Sequence, residues 1–179
     1  MDIIVLILLV LVILIVLSIV WSTLITGISP MMSSSKACQT MLAEIDSHEK
    51  GPVIDLGSGW GTLVIAVAKK HPNKQVIGYE LSWLPWLVSI ILKYSLRLDN
   101  LTLYRKDFKN AELSSASTLV CYLFPGGMVA LQEKLAHEVF NKVTIVSNTF
   151  ALPLCQPTRV IRLRDFYQTP IYVYHWQLK

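Results

Sequence analysis

The sequence predicts an α/β fold: a seven-stranded, mostly parallel sheet covered by helices, with a terminal antiparallel hairpin and one N-terminal transmembrane helix before it. Three observations carry this. Short apolar runs alternate with helical stretches from residue 53 to 147. Two further alternating runs after Pro157 have no helix between them, and the first thirty residues hold an almost unbroken aliphatic run. The chain divides accordingly into an anchor, residues 1–30, and one domain of ordinary size, residues 31–179.

The anchor comes first. From Ile3 to Leu17 every residue is aliphatic, and no charge occurs between Asp2 and Lys36. At ~1.5 Å per residue, Ile3–Thr26 makes a helix of roughly 36 Å, enough to cross a ~30 Å hydrocarbon core with some tilt. Gly27, Ser29 and Pro30 stop it, and Trp21 lies where an indole suits the headgroup level. A cleaved signal peptide would have a basic start and a shorter apolar core, whereas this chain opens Met-Asp. A buried core helix rarely carries aliphatic residues on every face for four turns. Lys36 and Lys50 follow the helix and only Asp2 precedes it, which favours a single-pass protein with its body on the cytoplasmic side of a bacterial inner membrane or an organelle membrane.

The anchor also explains the composition. The whole chain is 53% hydrophobic and only 16% charged, which excludes disorder, and its 8 Gly, 8 Pro and 3 Cys exclude collagen-like and disulfide-scaffold classes. Residues 31–179 hold all 16 basic residues against 11 acidic ones, the balance of a mildly basic globular domain. That charge is too diffuse to indicate a nucleic acid, and none is expected as a partner. Cys38, Cys121 and Cys155 lie far apart with no metal-ligand spacing around them, so no metal site is expected either.

Within the body, residues 37–47 read as a short amphipathic helix. Val53–Leu56 is a strand ending in glycines, and Thr62–Lys70 is a helix. Val76–Tyr79 is the second strand, and Trp83–Leu98 a long helix. Leu101–Tyr104 and Thr118–Phe124 are strands, a helix covers Met128–Phe140, and Val143–Ser147 is the fifth strand. Arg159–Arg164 and Ile171–Trp176 form the closing hairpin, with the arginines on its solvent face.

The segment richest in chemistry is Val53-Ile54-Asp55-Leu56-Gly57-Ser58-Gly59-Trp60-Gly61. A strand runs into a glycine turn that opens a helix, as in nucleotide-binding crossovers. The dinucleotide fingerprint would need glycine where this chain has Thr62; the spacing is D-x-G-x-G-x-G instead. Gly57, Gly59 and Gly61, with Ser58 between them, let the backbone approach a ligand, and Asp55 sets a carboxylate beside it. That carboxylate repels a pyrophosphate and attracts an ammonium group. S-adenosyl-L-methionine carries the ammonium and has no phosphate. About 25 residues on, Glu80 ends the second strand and is placed to accept from ribose hydroxyls. Asp107 and Phe108 follow the third strand, where an acid can accept from an adenine amino group and a ring can pack nearby.

With these residues in order, the chain resembles the class I S-adenosylmethionine-dependent methyltransferases over roughly residues 37–179. DLGSGWG stands as motif I, VIGYE supplies the second-strand acid, and the hairpin completes the Rossmann-like seven-stranded sheet that the resemblance implies. A hydrophobic helix followed by DLGSG-x-G, GYE and a long helix resembles, more narrowly, the membrane-anchored lysine methyltransferases of mitochondria and their bacterial relatives. Those proteins usually carry an acid where this chain has Trp60.

Methyl transfer from a sulfonium is an in-line displacement, so positioning the acceptor is the enzyme's main task. An aromatic channel favours the neutral amine of a lysine and also holds its cation. Cys121-Tyr122-Leu123-Phe124-Pro125-Gly126-Gly127 occupies the place where many amino-methylating members of the class carry [ND]-P-P-[YF]. The missing Asn or Asp argues against adenine or glutamine as acceptor. Tyr122, Phe124 and Pro125 are the candidate acceptor-channel residues, with plain sheet core as the competing reading, stronger for Tyr122 than for Phe124 and Pro125. Asn148, after the fifth strand, is the candidate polar group. The expected acceptor is a lysine of a membrane-associated protein. A lipid or quinone-like molecule drawn from the bilayer, or a binding module without turnover, accounts for the same residues.

Overall fold

The computed structural model describes residues 3–26, 32–140 and 142–176. Its elements are α1 (Ile3–Thr26), α2 (Ser35–Ala43), β1 (Val53–Leu56), α3 (Thr62–Lys70), β2 (Val76–Tyr79), α4 (Trp83–Ser95), β3 (Leu101–Tyr104), β4 (Thr118–Cys121), α5 (Pro125–His137), β5 (Val143–Asn148), β6 (Arg159–Arg162) and β7 (Pro170–Trp176). The strands form one seven-stranded sheet in the order β3-β2-β1-β4-β5-β7-β6. The first five are parallel, and β7 runs antiparallel to both β5 and β6. The expected architecture of the body is therefore observed.

The order reverses beside β1, where β2 lies on one side and β4 on the other. In open α/β sheets the crevice outside the carboxyl ends of strands at such a switch point is where ligands bind. Two cores pack the sheet. Ile54, Leu56 and Leu119 face Met128, Leu131 and Leu135 of α5 on one side. Val53, Val120 and Val146 face Met41, Val64 and Val67 of α2 and α3 on the other. Alternation along β1 then turns Asp55 toward α2 and α3.

Several boundaries move for identifiable reasons. β4 ends at Cys121 rather than Phe124, and α5 begins at Pro125 rather than Met128. Pro125-Gly126-Gly127 reads as a loop in the sequence, yet a proline at the first helical position gives up no hydrogen bond and already has the helical φ. α2 covers Ser35–Ala43 rather than 37–47, because Ser34 caps it by accepting from the Ala37 N–H. α4 ends at Ser95 instead of Leu98. Arg97 takes φ +52, with the Leu98 N–H bonded to the Lys93 carbonyl and the Arg97 N–H to that of Tyr94, the paired bonds of a left-handed helix stop. β6 likewise ends at Arg162, two residues earlier than expected.

α1 forms over the expected residues, and its described side chains, from Ile3 to Val20, are largely exposed. The side chain of Trp21 and residues 27–31 lie outside the described residues. The described side chains of α1 leave out positions 11, 14, 19, 21, 22 and 24–26. Among the described residues no helix is long and apolar enough to cross a membrane, so the structure does not show the expected transmembrane span.

Candidate active site

The glycine loop is held from both sides. The N–H groups of Gly57 and Ser58 both donate to the Tyr79 carbonyl, at 2.9 and 2.8 Å, which ties the loop to the end of β2. Glu80, the next residue, accepts from the Gly59 N–H through Oε2 at 2.8 Å and from the Ser82 N–H through Oε1 at 2.6 Å. One carboxylate therefore fixes the glycine loop to the start of α4. Ser89 Oγ on α4 donates to the Gly59 carbonyl at 3.1 Å and completes the clamp.

Two recesses open at this edge of the sheet. The larger is lined by Gly57, Gly59, Glu80 and Leu81, by Asp107 and Phe108, and by Phe124 and Gly126. The smaller is bounded by Asp55, Ser58, Trp60 and Thr62, with Met32 and Ser33 across from them. Tyr122 lines both and so stands at their junction. Its ring stacks on Phe150, with centroids 6.3 Å apart.

In the smaller recess Asp55 is 3% exposed and its Oδ2 has no hydrogen-bond partner; Ser58 Oγ, also buried, has none either. Burial, reinforced by the nearby charge of Glu80, raises the Asp55 carboxyl to about 8, against a backbone hydrogen bond from Val64 that pulls it down. A buried acceptor left unsatisfied is costly. A ligand bringing a cationic N–H donor removes that cost, which is what the ammonium end of S-adenosylmethionine carries. The residues present fit this cofactor. Asp55 and Ser58 would hold its amino-acid end, Glu80 its ribose hydroxyls, and Asp107 and Phe108 its adenine.

The eight expected cofactor residues thus gather at one sheet edge, seven of them on the two recesses. The eighth, Gly61, caps α3 with φ +83. Asp107 is shared: Oδ1 accepts from the Lys109 N–H at 3.0 Å, and Oδ2 lies 3.2 Å from Lys109 Nζ. Among the expected acceptor residues, Tyr122 and Phe124 line the larger recess, while Pro125 is the first residue of α5 and lines neither. Asn148 is the last residue of β5 and lines neither recess. It is buried, and its Nδ2 donates at 3.3 Å to the Oγ of Ser33, which lines the smaller recess. Sequence reasoning missed Met32 and Ser33, Leu81, and Lys106 and Lys109, which border the recesses from segments without a motif. Leu81, directly after Glu80, was the one with a positional signal. Of the two tryptophans in the first turn of α4, Trp86 bonds the Leu103 carbonyl and packs under the sheet, and Trp83 is exposed.

A sheet of this order, with a glycine loop and an unsatisfied acid at the end of β1 and acids after β2 and β3, defines a class I S-adenosyl-L-methionine-dependent methyltransferase domain. The sequence profile of the ANTKMT methyltransferase domain matches residues 55–159, and the chain belongs to that family. It is 32% identical over 114 residues to the mouse adenine nucleotide translocase lysine N-methyltransferase, covering 62% of this chain and 48% of that protein. It is also 32% identical over 114 residues to a human lysine N-methyltransferase named for a component of ATP synthase, with 62% of this chain and 47% of that protein covered. The chain thus spans under half the length of these relatives. Among solved structures, an RNA methyltransferase from Salinibacter ruber in complex with S-adenosyl-L-homocysteine superposes with a TM-score of 0.74 at 22% identity, covering 83% of this chain and 95% of that one. A precorrin-6y C5,15-methyltransferase from Geobacter metallireducens gives 0.62 at 11% identity, covering 82% and 90%. These two likenesses concern the fold.

Proposed function

We propose that this protein transfers the methyl group of S-adenosylmethionine to the ε-amine of a lysine on a membrane-associated protein, working beside the bilayer from a membrane anchor formed by α1. The observation that carries the acceptor class is the aromatic junction of the two recesses. Tyr122, backed by Phe150 and flanked by Phe124, lies between the residues that fit the amino-acid end of the cofactor and those that fit its nucleoside. When bound, the cofactor supplies an electrophilic methyl group there. Tyr122 and Phe124 exclude water from the approaching amine, which favours its neutral, nucleophilic form, and their faces guide the ammonium form in. The relatives' names, both lysine N-methyltransferases, support the same acceptor.

The anchor rests on the aliphatic run Ile3–Leu17 and the absence of charge up to Lys36. Lys36 and Lys50 behind the helix favour a body on the cytoplasmic side. The test uses membranes from cells with and without the chain, incubated with methyl-labelled S-adenosylmethionine and split into protein and organic extracts. Label in a protein band, located on lysine after hydrolysis, is the expected result. Label confined to the organic extract would replace the protein acceptor with a lipid or quinone-like one. Cofactor binding without any label would leave a binding module.

A further inference from the structure

The turn joining β6 to β7 presents two aromatic side chains to solvent. Phe166 is 93% exposed and Tyr167 83%, and their rings meet edge to face with centroids 5.3 Å apart. This turn is stiff. Asp165 accepts from the Thr169 N–H at 2.8 Å and from its Oγ1 at 2.6 Å, and the Leu163 N–H bonds the Thr169 carbonyl at 2.9 Å. The chain therefore holds two rings outward on a fixed turn, where nothing in the domain's own packing asks for them. Exposed aromatic surface on a rigid element marks a contact site.

Its place in the fold says what it contacts. The antiparallel register sets Ile171 beside Asn148, and the Thr149 N–H donates to the Pro170 carbonyl at 2.9 Å, so the turn stands at the same sheet edge as the cofactor recesses. Lys36 Nζ donates to the Arg164 carbonyl at 2.9 Å, which ties the turn to the first turn of α2, just beyond Ser33. Met32, on the wall of the smaller recess, follows the end of α1 at Thr26 by six residues. Six residues reach at most about 20 Å. An α1 embedded in a bilayer therefore keeps Met32, and with it the wall of the smaller recess, within that distance of the end of the helix.

The chemistry of the edge suits that surface. Tyrosine is enriched at the headgroup level, and phenylalanine buries its ring at the boundary with the acyl chains. Arg162 and Arg164 are exposed on either side of Leu163, Lys36 adds a third positive charge, and the one acid of the turn, Asp165, is spent on Thr169. Cations of this kind are drawn to anionic lipid.

We propose that Phe166 and Tyr167, flanked by Arg162, Arg164 and Lys36, rest in the headgroup layer of an anionic bilayer and lay the mouth of the active site against it. This rests on the reading of α1 as a membrane anchor. It narrows the acceptor to a lysine close to the membrane plane, because a residue far above the bilayer does not reach a cleft facing it.

The experiment uses the full chain reconstituted in phosphatidylcholine–phosphatidylglycerol vesicles. In a Cys155→Ser background, an environment-sensitive fluorophore is attached to Tyr167→Cys, to Leu9→Cys in α1, or to Val139→Cys beyond the end of α5, at the opposite edge of the sheet. Lipids with a nitroxide near the headgroup, or deeper in the chain, are the quenchers. The expected result is quenching at 167 by the shallow nitroxide, at 9 by the deep one, and at 139 by neither. Quenching at 9 with position 167 as accessible as 139 overturns the proposal and leaves the anchor intact. No quenching at 9 overturns the anchor reading, and the proposal with it. A response at 167 that appears only when an acceptor protein is added overturns the lipid assignment in favour of protein docking. A label-free check is the double variant Phe166→Ser/Tyr167→Ser. It should raise KM for a membrane-embedded acceptor several-fold while cofactor affinity stays unchanged; an unchanged KM counts against the proposal.

Discussion

Asn148, at the end of β5, donates from Nδ2 to the Oγ of Ser33 at 3.3 Å, a bond between residues 115 positions apart in the chain. Ser33 and Met32 form one wall of the smaller recess, opposite Asp55 and Ser58. The Ser33 carbonyl also accepts from Cys38 Sγ at 3.7 Å, and Thr149 Oγ1 donates to Asn148 Oδ1 at 3.1 Å. Asn148 is therefore a latch on the segment that closes the amino-acid end of the site.

Removing that latch should weaken cofactor binding. Asn148→Ala forfeits the bond to Ser33, worth about 1 kcal/mol or about fivefold in affinity, along with the local bond from Thr149. Ser33→Ala should weaken affinity to the same extent, and the double variant should be no worse than Asn148→Ala alone, because the two side chains share that interaction. Calorimetric titration of the cofactor analogue S-adenosylhomocysteine measures all three. A group acting on the acceptor instead would lower kcat with cofactor affinity intact, and Ser33→Ala would then be silent.

The Asp55 carboxyl, raised to about 8 by burial, makes binding depend on pH. Below that value the carboxyl is protonated in the free protein, and an ammonium ligand must displace the proton. Affinity should rise with pH toward 8, by up to about tenfold per unit. Above about 8 it should fall, because the ligand's own α-amino group loses its proton there. A maximum near pH 8 in calorimetric titrations, with proton release below it, is expected. An analogue lacking the amine should show no such maximum.

The same residue sets stability against function. A carboxyl whose pKa is higher in the folded than in the unfolded state stabilises the fold at low pH. That contribution is lost as pH rises from the ordinary carboxylate range to about 8, because the unfolded chain gives up its proton first. Asp55→Asn cannot ionise and avoids the loss. Its Tm without cofactor should exceed that of the native chain by a margin that grows between pH 4 and 8, while cofactor affinity falls at least tenfold.

How far the sequence foretold this site depends on what each residue answers to. β1, β2, β3 and α3 were legible to the residue, because short apolar runs between turn residues record a local need to be buried and extended. Asp55 and Glu80 were legible because they sit at fixed offsets from strand ends, and backbone geometry alone then sets where they point. Met32, Ser33, Lys106 and Lys109 were not, since each reaches the recesses through long-range packing that leaves no periodic trace. Asn148 illustrates the limit well. It was read as following the fifth strand and is instead the last residue of β5, and the partner that defines its role lies on a segment joined to it only in three dimensions.

Glu80 offers a cleaner separation of roles. Its two oxygens hold the N–H groups of Gly59 and Ser82, so Glu80→Ala frees two donors and should destabilise the fold by about 2 kcal/mol. Glu80→Gln keeps one amide oxygen as acceptor and the volume of the side chain. It should unfold within a few degrees of the native protein and still bind cofactor about tenfold more weakly, because its neutral amide replaces charge-assisted bonds to the ribose. Thermal unfolding and calorimetry on the same two samples distinguish the effects.

Gly59 and Gly61 both hold positive φ, yet alanine should fail at each for a different reason. At Gly61, φ +83, a Cβ would stand 2.7 Å from Ser89 Oγ and 2.9 Å from Ile65 Cδ1, so the turn into α3 and the face of α4 would have to separate. Backbone strain and overlap together should cost about 2–4 kcal/mol, read as a fall in Tm, with cofactor affinity lost only as far as the fold is. At Gly59, φ +53, a Cβ would meet nothing within 4 Å. The fold should lose only the ~1–2 kcal/mol of a left-handed residue. That open space lies in the larger recess, on the loop that Glu80 and Ser89 hold toward the nucleoside end. Gly59→Ala should therefore retain most of its stability and lose cofactor binding by at least tenfold. Equal losses of affinity and stability in the two variants would mean that the loop supports the fold alone and approaches no ligand.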